Sequence, residues 1–220
     1  MEIIPVLDIK NGIAVSGKSG DRENYKPLKS VLVNSSNPIE IVDKYKEELA
    51  NTVYIADLDA IERKGNNLDI IVNLDINKIV DCGIRKREDY EKVKDLFTPI
   101  LGLETLRDLT LLKEKDIIVS LDFKNGKLLN YDLDFILSIV NKNVPLIILD
   151  ISAVGTKRGL NLPLIKEVLD KTNNPIYVGG GIKDLEDLEK CYNLGIDGVL
   201  IGTAIHNGTL RLKEIIERFR

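Results

Sequence analysis

Short apolar runs rich in β-branched residues recur along the chain at fairly even intervals. The stretches between them carry apolar residues at helical spacing. The runs are Ile3 to Leu7, Thr52 to Ala56, Lys78 to Val80, Pro99 to Leu101, Ile117 to Leu121, Pro145 to Leu149, Pro175 to Val178 and Gly198 to Ile201, eight in all. Each reads as a strand of a parallel sheet, where burial on both faces leaves no polar alternation. Between them, Ile39, Val42, Tyr45 and Leu49 mark one helix, and Leu185, Leu188 and Tyr192 mark another. Asn37 before Pro38, and Asp184 before Leu185, are the start signals such helices use. Strand followed by helix is kept from end to end without a Pro/Gly/Ser-rich linker, which predicts one α/β domain over residues 1–220.

Two of the runs end alike. Ile4-Pro5-Val6-Leu7-Asp8-Ile9-Lys10-Asn11-Gly12 returns about half a chain later as Ile118-Val119-Ser120-Leu121-Asp122-Phe123-Lys124-Asn125-Gly126. Cys82-Gly83-Ile84-Arg85 is echoed by Gly180-Gly181-Ile182-Lys183, Ile100-Leu101-Gly102 by Leu200-Ile201-Gly202, and Arg63 to Asn67 by Lys157 to Asn161. A doubled four-unit block predicts a (β/α)8 TIM barrel built from two fused (β/α)4 half-barrels, about 1–113 and 114–220. In a closed ring each half completes the other's sheet edges.

Composition narrows the partners. Acidic and basic residues are interleaved, the net charge is −4, and no basic stripe suited to nucleic-acid phosphates stands out. Two cysteines, Cys82 and Cys191, and the single His206 are too few for a zinc cluster or a disulfide scaffold. No apolar run approaches the length of a membrane helix, and the chain starts directly in a strand. The expectation is a cytoplasmic protein with reduced thiols, no metal, no membrane and no nucleic acid, acting on a small molecule.

In such a barrel, ligands sit at the C-terminal ends of the strands. There the second half carries Gly179-Gly180-Gly181 and, one unit later, Gly202-Thr203-Ala204. Glycines let backbone N–H groups approach phosphate oxygens, so Gly180, Gly181, Gly202 and Thr203 are read as the binding site of a phosphorylated metabolite. The first half has Asp81-Cys82-Gly83 and Gly102-Leu103-Glu104 in the matching places, and a carboxylate beside a phosphate is repulsive. One phosphate site is therefore expected, not two.

Asp8 and Asp122 end opposite strands of the ring and make an acid/base pair possible. Asp57 and Asp150 end strands too, and read equally well as turn caps. Thr156, Lys157 and Arg158 form a loop with two cations that suits closure over an anionic substrate. His206 reads as an exposed histidine at a helix start, and Cys82 as a thiol kept protonated beside Asp81.

These residues carry a resemblance. Ile4 to Asp8, Ser120-Leu121-Asp122 with Asn125-Gly126, Val178 to Ile182 and Ile201 to Ala204 resemble the histidine-biosynthesis barrels, the phosphoribosylformimino-aminoimidazole carboxamide ribotide isomerase more closely than the cyclase subunit of imidazole glycerol phosphate synthase. The resemblance implies a (β/α)8 barrel without metal or organic cofactor that performs an Amadori-type aldose-to-ketose rearrangement on a phosphoribosyl compound. It also implies that Asp8 is the general base shifting a proton between sugar carbons. Where the isomerase has Asp-Gly-Thr after its sixth strand, the aspartate being its general acid, this chain has Val154-Gly155-Thr156. With the first-half phosphate site also changed, the chain is most similar to the isomerase-related group of methanogens and methylotrophs, and that likeness implies a role near methanopterin cofactor synthesis. Two rival readings remain: a non-catalytic phosphate-binding barrel, and the authentic isomerase with a substitute acid such as Asp150.

Overall fold

The computed structural model describes residues 1–17, 20–156 and 158–220. Its strands are β1 (Glu2–Lys10), β2 (Ile13–Ser16), β3 (Lys26–Pro27), β4 (Thr52–Asp57), β5 (Asn77–Asp81), β6 (Thr98–Gly102), β7 (Ile118–Lys124), β8 (Lys127–Leu128), β9 (Leu146–Asp150), β10 (Ile176–Gly179) and β11 (Gly198–Ile201). Eight of them, β1, β4, β5, β6, β7, β9, β10 and β11, pair in parallel in chain order, and β11 returns to β1 with Ile3 opposite Val199 and Pro5 opposite Ile201. The sheet is thus a closed (β/α)8 barrel, and each of the eight apolar runs supplies one of its strands.

The helices are α1 (Pro38–Glu47), α2 (Leu58–Glu62), α3 (Leu68–Val72), α4 (Arg87–Glu91), α5 (Leu133–Ile139), α6 (Leu162–Leu169), α7 (Leu185–Asn193), α8 (Thr203–His206) and α9 (Leu212–Phe219). Asn37 caps α1 by accepting from the Ile39 N–H at 2.9 Å, and Asp184 caps α7 by accepting from Asp187 N–H at 3.1 Å. Among the described residues no helix is long and apolar enough to cross a membrane.

Period-two alternation sorts each strand's side chains between two cores. Ile4, Tyr54, Ile79, Ile100, Ile118, Ile147 and Leu200 fill the barrel interior. Their neighbours Leu7, Val53, Val80, Leu101, Val119, Ile148 and Val199 pack outward under the helices. The same parity decides the site: Asp81 lies two residues beyond Ile79, and Asp8 and Asp122 lie four beyond Ile4 and Ile118, so all three point into the mouth.

The Lys-Asn-Gly repeat makes more than the end of a strand. β1 and β7 run on past their aspartates to Lys10 and Lys124, then fold back into β2 and β8. Asn11 and Gly12 have φ of 51° and 78°, Asn125 and Gly126 of 53° and 74°. Two consecutive positive φ values are what a two-residue hairpin turn demands, and Asn-Gly meets that demand at least steric cost. The same turn is thus built twice from the same pair of residues.

Candidate active site

A cavity of about 1030 Å³ opens at the C-terminal ends of the barrel strands. Asp8, Asp81, Asp122, Glu104, Arg22 and Tyr54 line one part of it, and the glycine turns at 179–181 and 202 line another.

Among the described residues nothing donates a hydrogen bond to the Asp8 carboxylate. Its Oδ2 would lie 2.6 Å from a Cβ placed on Gly17, and Val154 Cγ1 would lie 3.5 Å from the same point. The valine that stands in place of the isomerase's acid therefore borders the space beside Asp8. Burial raises the Asp8 pKa to about 6, against a smaller opposing pull from Arg22.

Asp122 is 2% exposed. Ser120 Oγ donates to its Oδ1 at 2.6 Å, and the Glu104 N–H donates to its Oδ2 at 2.8 Å. Burial first, and the neighbouring Asp81 second, raise its pKa to about 7 in spite of those donors. Asp81 accepts the Gly83 N–H at 2.9 Å, and burial raises it to about 6. Oδ2 atoms of Asp81 and Asp122 lie 3.0 Å and 3.3 Å from one point, a Cβ built on Gly102, so only a glycine at 102 leaves both carboxyls room.

Sequence reasoning missed Arg22 and Tyr54. Arg22, in a 3-10 turn between β2 and β3, donates to both oxygens of Glu104 at 2.9 Å and 2.7 Å. The two residues are 82 positions apart, and no local pattern announces such a pair. Tyr54 is 5% exposed and lies in the electrostatic range of Asp81, Asp8 and Asp122. The inward parity of β4 was the signal that could have found it.

The two halves differ in how their turn amides are satisfied. In the first half, Gly83 N–H and Glu104 N–H are taken by the chain's own Asp81 and Asp122. In the second half the corresponding amides are those of Gly181 and Ala204, and no side chain of the described residues bonds to them or to Thr203 N–H. Gly180 and Gly181 have φ of 84° and 92°, and a Cβ on either would come within 2.4 Å of a carbonyl oxygen, that of Asp150 or of Gly159. Gly180→Ala should therefore cost about 2–3 kcal/mol in urea denaturation, from left-handed strain plus the clash. A loss under about 0.5 kcal/mol would show that the turn relaxes at little cost. Lys183, on the same loop, also lines the cavity.

The remaining sequence candidates divide. Thr156 spends its hydroxyl on the Ala153 carbonyl at 2.8 Å, and neither it nor Arg158 borders the cavity. Lys157 lies outside the described residues. Asp57 is bound by the backbone and side-chain amides of Asn67 at 2.7 Å each, and acts as a structural cap. Asp150 accepts the Ser152 N–H at 3.0 Å and does not border the cavity. His206 is not exposed: it is buried at the end of α8, between Tyr45 Oη at 2.7 Å and Ser30 Oγ at 2.8 Å, and burial lowers its pKa to about 4. Burial, with Asp81 adding to it, pushes the Cys82 thiol up to about 12, which keeps it protonated.

Three relatives span nearly the whole chain. A Methanocaldococcus jannaschii protein named only as uncharacterized is 63% identical over 100% of this chain and 99% of its own length. The 1-(5-phosphoribosyl)-5-((5-phosphoribosylamino)methylideneamino) imidazole-4-carboxamide isomerase of the same organism is 32% identical over 99% of this chain and 98% of its own length. The isomerase of that name from Clostridium botulinum is 32% identical over 99% and 97%. The family model described as histidine biosynthesis protein matches residues 2–211, and the chain belongs to that family.

Proposed function

We propose that the protein is an isomerase that binds one phosphate at Gly180, Gly181, Gly202 and Thr203 and carries out Amadori-type aldose-to-ketose chemistry with Asp8 and Asp122. The ligand class is a small phosphorylated compound of the phosphoribosyl type. The observation that carries the reading is the asymmetry of the turn amides: acids cap them in the first half, and no side chain of the described residues caps them in the second.

The chemistry follows from the two carboxyls. Asp122, with its pKa near 7, lends a proton to the sugar ring oxygen as the ring opens. Asp8, nearer 6 and without a donor of its own among the described residues, removes the proton from C2 of the sugar and returns it to C1, while the C2 hydroxyl gives its proton back to the Asp122 carboxylate and becomes the ketone. Two carboxyls with raised and separated pKa values suit such a division of roles.

A different substrate from that of the histidine pathway is favoured by two points. Asp150, the candidate substitute acid, stands off the cavity wall. M. jannaschii also holds an isomerase of the histidine type besides the 63% relative of this chain.

Inorganic phosphate should raise the melting temperature, because a ligand at 100 times its Kd adds about 2.7 kcal/mol to the native state. In Gly202→Asp the effect should vanish. The φ at 202 is −112°, and the nearest neighbour of a Cβ there is Val6 at 3.6 Å, so the aspartate fits and acts through its charge. A phosphate-induced shift that survives in Gly202→Asp overturns the placement of the site.

A further inference from the structure

The half of the cavity opposite the glycine turns has a chemistry that the single-phosphate reading leaves unused. Asp81, Asp122 and Glu104 stand there with Asp8 nearby, and the arginines beside them among the described residues are already engaged. Among the described residues, Arg22 is committed to both Glu104 oxygens. Arg85 spends its guanidinium on the carbonyls of Gly83 and Ile61, each at 2.6 Å. Asp81 uses one oxygen on Gly83 N–H, and its other oxygen accepts no hydrogen bond from the described residues.

Tyr54 is the second, independent sign of a missing partner. Its side chain is 95% buried by the 5% exposure above, its hydroxyl bonds to nothing among the described residues, and it lines the cavity. On the cavity wall, that hydroxyl is placed to meet a polar group that enters. The partner must tolerate three carboxyls and present donors to them, which excludes a second phosphate and any carboxylate. A divalent metal is disfavoured as well, because among the described residues no acidic cluster has the geometry to hold one. An organic ammonium meets every requirement: it donates to Asp81 and to the Tyr54 oxygen, and it offers positive charge to the ring face.

We propose that this acid-lined half, with Asp81 and Tyr54 as its specificity-determining residues, binds an amine on the substrate, so that the ligand is an amine-bearing monophosphate. The proposal rests on the phosphate site described above and adds the identity of the other end.

Glucosamine 6-phosphate and glucose 6-phosphate share the phosphate ester and differ in one ammonium, which makes them the probes. Calorimetric titration of the full chain at pH 7 should show the amino sugar bound about tenfold more tightly, the scale of one charge-assisted contact. Ribose 1,5-bisphosphate should bind no better than glucose 6-phosphate. In Asp81→Asn, which keeps an oxygen for the Gly83 N–H, the preference should fall to within about twofold while glucose 6-phosphate binds as before. Tyr54→Phe should reduce the preference in part and serves if the first variant does not fold. Equal binding of the two esters by the wild type, or an undiminished preference in both variants, overturns the amine site alone. Binding of neither ester overturns the phosphate site and the amine site together.

Discussion

Replacing Asp8 by Asn is expected to lower the rate of ketose formation from an N-substituted ribosylamine 5-phosphate by about 10²–10⁴-fold while leaving the barrel folded. The rate should fall because an amide cannot take the proton from C2. The fold should hold for local reasons. No described group donates to the Asp8 carboxylate, so asparagine breaks no hydrogen bond among the described residues, and Gly17 supplies the space that either side chain needs. Removing a carboxyl whose charge burial disfavours removes a strain as well. The wild-type rate should rise as Asp8 ionises near pH 6 and fall as Asp122 loses its proton near pH 7, giving a narrow bell between them. Phosphate should still raise the melting temperature of the variant, since the glycine turns are untouched. That pairing separates the enzyme from a barrel that only binds: an unchanged rate in Asp8→Asn would end the general-base assignment.

The strands were legible because burial on both faces of a parallel barrel requires apolar runs, and Asn37, Asp184 and their helices follow from capping, which is local. Asp8 and Asp122 were legible for a similar reason: inward parity is set within each strand. What the sequence concealed depends on closure. The Arg22 and Glu104 pair spans 82 residues, and the contacts of His206 with Tyr45 and Ser30 span 161 and 176. A histidine after a glycine turn carries no mark of its burial, and sequence alone places it at an exposed helix start. Asp57 reads from sequence equally as a site residue or a cap, and the bonds from Asn67, beyond α2, decide for the cap. The hairpins after β1 and β7 are marked by Asn-Gly, but a carboxylate closing an apolar run is equally the mark of a strand end.

The stability of the protein should fall as the pH rises from 5 to 8, and Asp122→Asn should remove a large part of that fall. A carboxyl whose pKa is raised on folding binds its proton more tightly in the native state. Its contribution is fully present below the unfolded value of 3.8 and is lost as the pH climbs through the folded value, about 7 for Asp122 and about 6 for Asp8 and Asp81. For Asp122 the whole shift corresponds to on the order of 4 kcal/mol, of which about 2–3 kcal/mol is lost between pH 5 and pH 8. His206 works in the other direction. With its pKa lowered by burial to about 4, its contribution is present above 6.5 and is lost as the pH falls, so it opposes the trend as one group against three. Asparagine at 122 has no proton to lose, and it can still accept from Glu104 N–H while its own amide donates to Ser120 Oγ. Urea denaturation at both pH values tests this: the gain of Asp122→Asn over wild type should be larger at pH 8 than at pH 5 by about 2–3 kcal/mol. Parallel curves for the two proteins would mean that Asp122 is ionised throughout this range, which would also remove it as the proton donor for ring opening. A barrel that grows more stable when its acid is neutralised, and loses its chemistry in the same step, holds that carboxyl for function and not for folding.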